Sequence, residues 1–105
     1  MITPTKGQVF WVDLGYGRKP WVVVSNNRRN RNLDTILAAR ITTTSKHASL
    51  PTWVALNASD PLVGFVLTDD IVPMYRDDDL GDPAGALGVQ TMAAVDEGLR
   101  VTFAL

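Results

Sequence analysis

The stretch that decides the fold is Gly7 to Asn26, GQVFWVDLGYGRKPWVVVSN. Its two apolar runs, Gln8 to Asp13 and Trp21 to Ser25, do not alternate with polar residues as half-exposed strands do, so they read as strands covered on both faces. Gly15-Tyr16-Gly17 between them marks a tight turn that leads into Arg18 and Lys19. Pro20 fixes its own φ and pushes Lys19 toward extended geometry, which holds a cation at the mouth of a strand rather than in a mobile loop. Thr42 follows in the string ITTTS, sixteen residues past Asn26. A fixed cation and a threonine hydroxyl are a phosphate site in outline.

Working outward, Asn26 to Asp34, NNRRNRNLD, is a polar loop by composition. Thr35 to Thr44, TILAARITTT, is rich in β-branched residues and reads as a third strand. Thr52 to Leu56 and Gly64 to Thr68 are the fourth and fifth, bounded by Pro51, Pro61 and Gly64. Ile71 to Tyr75 adds a short extended piece ahead of the acidic loop RDDDLGDPAG. From Val89 the period changes: Val89, Met92, Val95, Leu99 and Phe103 fall at helical spacing and predict a helix with those residues inward. Gly98 inside it costs roughly 1 kcal/mol relative to Ala. The expected architecture is mainly β, a short-stranded sheet or small barrel closed by a C-terminal α-helix.

The 105 residues make one expected domain, residues 1–105. Apolar residues make up 46% and charged ones 20%, the ordinary globular range. No apolar run approaches the roughly 20 residues of a membrane helix, and MITPTKGQ has no signal-peptide core. The expectation is a soluble cytoplasmic protein. There is no cysteine, so disulfides, thiolate metal sites and cysteine nucleophiles are excluded, and His47 is the lone histidine. Chemistry therefore falls to hydroxyls, carboxylates and Lys or Arg. The net charge of −1 conceals an asymmetry: residues 1–50 carry eight basic and two acidic side chains, net +6, and residues 51–105 carry two and nine, net −7. The first half suits an anionic partner.

GQVFWVD, the RKP before WVVVSN, the spaced Asn26, Asn30 and Arg31, then ILAARIT, LPTWVAL and the terminal MAAVDEGLRV together resemble the MazF/PemK (Kid) toxin family. The resemblance runs from about Gly7 to Leu105, and the order and spacing of six strings carry it. It implies an SH3-like small β-barrel with a C-terminal helix, working as a homodimer. It implies the toxin of a type II toxin–antitoxin system, a metal-independent, sequence-selective endoribonuclease. The substrate is single-stranded RNA, whether mRNA, tRNA or rRNA, and its cleavage inhibits translation and growth. No cofactor and no metal are implied. A MazE-like antitoxin would lay an acidic or hydrophobic disordered segment over the basic groove.

The family's basic residue before proline maps onto Lys19, and its threonine at the end of the third strand maps onto Thr42. Metal-free RNA cleavage uses the neighbouring 2′-OH as nucleophile, so the protein must place the phosphate, stabilise its oxygens and protonate the leaving 5′-oxygen. A protonated lysine suits the last two tasks, and Thr42 can donate a hydrogen bond to phosphate or hold the 2′-OH. Relatives usually carry arginine before the proline, which grips phosphate bidentately, whereas lysine is a point charge. Arg18 is the supporting cation, on the opposite strand face from Lys19. Tyr16, Arg28, Arg31, Thr43 and Asp69 are the RNA-binding candidates. The Leu14 to Lys19 turn is shorter than in many relatives, so base preference cannot be copied from them.

Competing readings have their own residues. The Thr42 to Ser45 run is also good strand sequence, and the arginines of NNRRNRN are also a solvated loop. Trp11, Trp21 and Trp53 read as core or dimer-interface residues rather than base-stacking platforms. Asp77, Asp78, Asp79 and Asp82 lack metal-loop spacing and read as a solvated loop. The same barrel also serves CcdB-like toxins, which bind DNA gyrase without cleaving anything, and an inactive binding module is a further rival. The pairing of Lys19 with Thr42 favours the nuclease.

Overall fold

The structure, a computed structural model, describes residues 3–105. Six strands, β1 (Gln8–Asp13), β2 (Arg18–Val23), β3 (Thr35–Thr42), β4 (Trp53–Ala55), β5 (Phe65–Tyr75) and β6 (Pro83–Ala86), form one sheet in the order β4-β5-β3-β2-β1-β6. Every neighbouring pair is antiparallel, and the sheet curls into a half-barrel. Two helices complete it, α1 (Asn27–Asn32) and the C-terminal α2 (Val89–Phe103). The mainly β architecture with a closing C-terminal helix is as the sequence predicts.

Both sheet faces are covered, which is why β1 and β2 read as continuous apolar runs. Val9, Val22, Ala39, Ile41, Val54 and Val66 join Val95 of α2 in one core. Val12, Trp21, Val23, Ile36, Ala38 and Met74 form a second core on the other parity of the same strands. The acidic segment folds over that second face, where Leu80 packs against it and the Gly81 amide donates to the Trp11 carbonyl at 2.9 Å. Each fully buried valine or isoleucine contributes about 2 kcal/mol by leaving water.

Several elements differ from expectation. β2 begins at Arg18, not Trp21, so both cations lie within the strand. NNRRNRN is a helix: Asn26 caps it, its Oδ1 accepting the Arg29 amide at 2.8 Å. Asn30 is completely buried, accepting from the Ser25 hydroxyl and donating to the Ser25 carbonyl. Gly64 to Thr68 and Ile71 to Tyr75 are one long strand, β5, with an irregularity between them. Part of the expected acidic loop is an edge strand, β6, paired to β1.

Helix α2 turns the middle of the expected stripe inward, Met92, Val95 and Leu99 packing on the first core, but not its two ends. Thr91 and Gly98 are buried beside Val95, which the apolar spacing does not indicate, while Val89 and Phe103 are 89% and 59% exposed. Gly98 is there for close approach: a Cβ would fall 2.8 Å from Thr68 Oγ1 and 3.2 Å from Val54 Cγ2. Trp21 is a core residue, and Trp53 is half-buried with His47 edge-on at 5.5 Å. Among the described residues no helix is long and apolar enough to cross a membrane.

Candidate active site between β2 and β3

The site originates in an interrupted ladder. β2 pairs with β3 through Val23–Ala38, Val22–Ala39 and Trp21–Arg40, and there the pairing stops. On its other side β2 continues to pair with β1 past Pro20 as far as Asp13–Arg18. Proline brings no N–H to a ladder, and β3 parts from β2 where Pro20 begins. Continued register would have set Lys19 opposite Thr42 and Arg18 opposite Thr43. Instead the strands open a cavity of about 320 Å³, lined by Trp11, Arg18, Lys19, Pro20, Arg40 and Ile41, with Thr42, Thr43, Leu62 and Val63.

Strand parity sorts these side chains. Lys19 and Thr42 share a face with Arg40 and Trp21, whereas Arg18 shares the opposite one with Trp11. Arg18 lies over the Trp11 ring at 5.5 Å and is 3.3 Å from Asp82, an exposed pair of small energetic consequence. Among the described residues Lys19 has no ion pair. The Thr42 hydroxyl oxygen accepts the Thr44 amide at 3.3 Å, which orients it and leaves its proton to donate. The loop bearing Leu62 and Val63 reaches the site because Gly64 has φ +130° and lies against the Thr42 backbone, where a Cβ would be driven into the carbonyl oxygen.

A second cavity of about 140 Å³ adjoins the first, lined by Val12, Leu14, Tyr16, Gly17, Lys19, Trp21 and Arg40. Tyr16, 87% exposed, forms part of its rim. The turn carrying it is held by Asp13, whose Oδ1 accepts the Gly15 amide at 2.8 Å. Lys19 and Arg40 line both cavities. Thr43 lies in the first cavity, but Arg28 and Arg31, exposed on α1, line neither. Asp69 also lies outside both and accepts from Thr52 Oγ1 at 3.3 Å.

Arg40 was legible only as part of an apolar strand, although its signal is plain: it is the one charge between Ile36 and Ile41, two residues before Thr42 and hence on its face. The charge asymmetry is also partly folded away. Lys6–Asp96, Arg18–Asp82 and Arg40–Asp70 each join the basic half to the acidic half. What stays concentrated is the cation and hydroxyl lining of the larger cavity, which holds no carboxylate and no histidine. Such a donor set suits an oxyanion rather than a divalent cation.

Comparison with known proteins identifies the family. Residues 5–103 match the family described as PemK-like, MazF-like toxin of type II toxin-antitoxin system. The chain belongs to that family. This MazF-like chain is 45% identical to Endoribonuclease MazF1 of Mycobacterium bovis over 105 residues, 100% of this chain and 97% of the relative. The same figures describe its match to Endoribonuclease MazF4 of Mycobacterium tuberculosis. Among solved structures, a mycobacterial endoribonuclease in complex with its cognate antitoxin superposes with a TM-score of 0.91 at 45% identity, covering 97% of this chain and 96% of that one. A MazE–MazF crystal structure from Deinococcus radiodurans shares the fold at TM-score 0.82 and 21% identity, covering 100% of this MazF-like chain and 99% of that chain.

Proposed function

We propose that this MazF-type toxin is an endoribonuclease that cuts single-stranded RNA without a metal ion, with Lys19 and Thr42 at the reacting phosphate. One observation supports the reading: Lys19 and Thr42 line the same cavity, from two strands whose pairing stops where Pro20 begins. The 2′-oxygen of the upstream nucleotide attacks phosphorus and loses its proton to solvent, since the cavity lining holds no base. The bond to the 5′-oxygen breaks, leaving a 2′,3′-cyclic phosphate and a 5′-hydroxyl. Lys19 stabilises the charge on the non-bridging oxygens and gives a proton to the departing 5′-oxygen, while Thr42 donates to a non-bridging oxygen.

Arg18 is the helper on the other face, where it meets the RNA backbone, and Thr43 adds a hydroxyl beside it. Tyr16 offers a ring at the rim of the second cavity, a stacking surface for an unpaired base. Arg28, Arg31 and Asp69 contact RNA running past the opening. The toxin acts as a cytoplasmic homodimer and is held silent by a MazE-like antitoxin, as the antitoxin-bound relative supports. A gyrase-binding toxin would have no use for a cation and a hydroxyl set across an opening.

The test is incubation of purified protein with a long mixed-sequence RNA in EDTA, followed by mapping of the cut ends. The reading expects cleavage with 2′,3′-cyclic phosphate and 5′-hydroxyl termini. Activity that disappears in chelator and returns with Mg²⁺ overturns it.

A further inference from the structure

We propose that Arg40 is a substrate-binding residue of this site, supplying the two-pronged phosphate grip that Lys19 cannot, and that Asp70 is its positioning residue. The inference rests on the RNA-cleaving reading above. It begins with the chemistry of the swap: an ammonium is a point charge, and a rigid fork of N–H donors requires a guanidinium. Two arginines line the larger cavity, Arg18 and Arg40. Arg18 is on the face opposite Lys19 and is engaged by Asp82 and the Trp11 ring. Arg40 is on the Lys19 and Thr42 face, in the last ladder pair before the strands part, and it lines both cavities.

The local geometry holds one edge of the guanidinium and frees the other. Arg40 faces Leu67 of β5 while Ala39 faces Ile71, so Thr68, Asp69 and Asp70 are extra residues in the ladder. That bulge brings Asp70 Oδ2 to 3.1 Å from Arg40 Nε. Nε is buried and off the axis of a proper hydrogen bond to that carboxylate, so the contact is a close ion pair and not an aligned bond. The Arg40 side chain as a whole is 36% exposed, and no hydrogen bond engages its terminal nitrogens among the described residues. Asp70 steers the Nε side, and the outer edge is open to the non-bridging oxygens of a phosphate held at Lys19 and Thr42. Ordering so long a side chain in mid-strand costs rotamer freedom, and the carboxylate has already met part of that cost before RNA arrives.

The experiment compares wild type, Arg40→Ala, Arg40→Lys, Asp70→Asn and the Arg40→Ala/Asp70→Asn double variant as full-length proteins. Single-turnover cleavage is measured on one RNA in EDTA, and binding is measured across a salt series with mixed-sequence 2′-O-methyl RNA, whose blocked oxygen cannot attack. Arg40→Ala slows cleavage roughly 10- to 100-fold, Arg40→Lys recovers little of it, and the slope of affinity against salt falls by about one phosphate contact. Asp70→Asn slows cleavage only where Arg40 is present, so the double variant matches Arg40→Ala. Cleavage by Arg40→Ala within about threefold of wild type, together with an unchanged salt slope, overturns the assignment, even in a protein that cuts RNA normally. If wild type itself cuts nothing, the nuclease reading falls. The salt series then still decides for or against Arg40.

Discussion

Lys19 of β2 and Thr42 of β3 hold the positions that would pair next but one after Trp21–Arg40, yet no ladder joins them. A proline between Lys19 and Trp21 ends the pairing on one side of β2 while β1 keeps the other side in place. The cation and the hydroxyl thus line one opening of about 320 Å³ from two strands, one of them held rigid by β1. Preorganisation of this kind matters because charge stabilisation is strongest when the donors need not move during reaction.

Thr42 tests the hydroxyl. Thr42→Val keeps shape and strand preference but removes the donor, and single-turnover RNA cleavage should fall roughly 10- to 100-fold with little change in thermal midpoint. Thr42→Ser should retain most activity. Equal activity in the valine variant would remove Thr42 from the reaction.

Gly64 tests the wall. Its φ of +130° and its contact with the Thr42 backbone exclude a Cβ, so Gly64→Ala must move the loop carrying Leu62 and Val63 away from the cavity. Stability should drop by about 1–3 kcal/mol in urea unfolding. Cleavage should drop further than stability at temperatures where the variant is fully folded.

Gly98 sets two effects against each other. Alanine improves helix propensity by about 1 kcal/mol, but its Cβ would press on Thr68. Thr68 cannot swing aside, because its hydroxyl donates to the Thr52 carbonyl at 2.6 Å and both of its branches are in the way. Overpacking costs typically about 1–3 kcal/mol, so Gly98→Ala should be net destabilising in chemical unfolding. A stabilised variant would mean that α2 lifts freely from the sheet.

Asp60 ties the loop after β4 to the start of α2. Burial alone would raise its pKa, but hydrogen bonds from the Gly88 amide, the Thr91 hydroxyl and the Asn57 amide prevail and hold it below the ordinary 3.8. A carboxylate depressed in the fold stabilises it above the unfolded value, and that contribution is lost as pH falls through the lowered one. Asp60→Asn should therefore cost about 1 kcal/mol at neutral pH, as loss of a helix cap does, and flatten the decline of stability below about pH 4. Urea midpoints across pH 2–7 measure both.

The strands and the cation before Pro20 were legible because burial on both faces leaves unbroken apolar runs and proline restricts its neighbour. Helix α1 was hidden because its six residues have no apolar face: the Asn26 cap and the buried Asn30 hold it, and hydrophobic periodicity registers neither. β6 was hidden because PAGA is a poor strand sequence, tolerated at a sheet edge where one neighbour suffices. The face of α2 was legible in Met92, Val95 and Leu99, but Thr91, Gly98 and Thr102 also turn toward the sheet, where a close approach excludes larger residues and apolar spacing registers none of them. Arg40 shows the reverse case, a period-2 relation to Thr42 that can be read from sequence once a charge inside an apolar strand is treated as a signal.

The face assignment of the two adjacent cations is the central claim, and single-turnover cleavage of one RNA in EDTA by Lys19→Ala and Arg18→Ala tests it directly. With Lys19 on the strand face of Thr42 and Arg18 over Trp11 and beside Asp82, Lys19→Ala should lose about 100-fold or more, and Arg18→Ala about tenfold or less. Full activity in Lys19→Ala together with loss in Arg18→Ala would contradict the account.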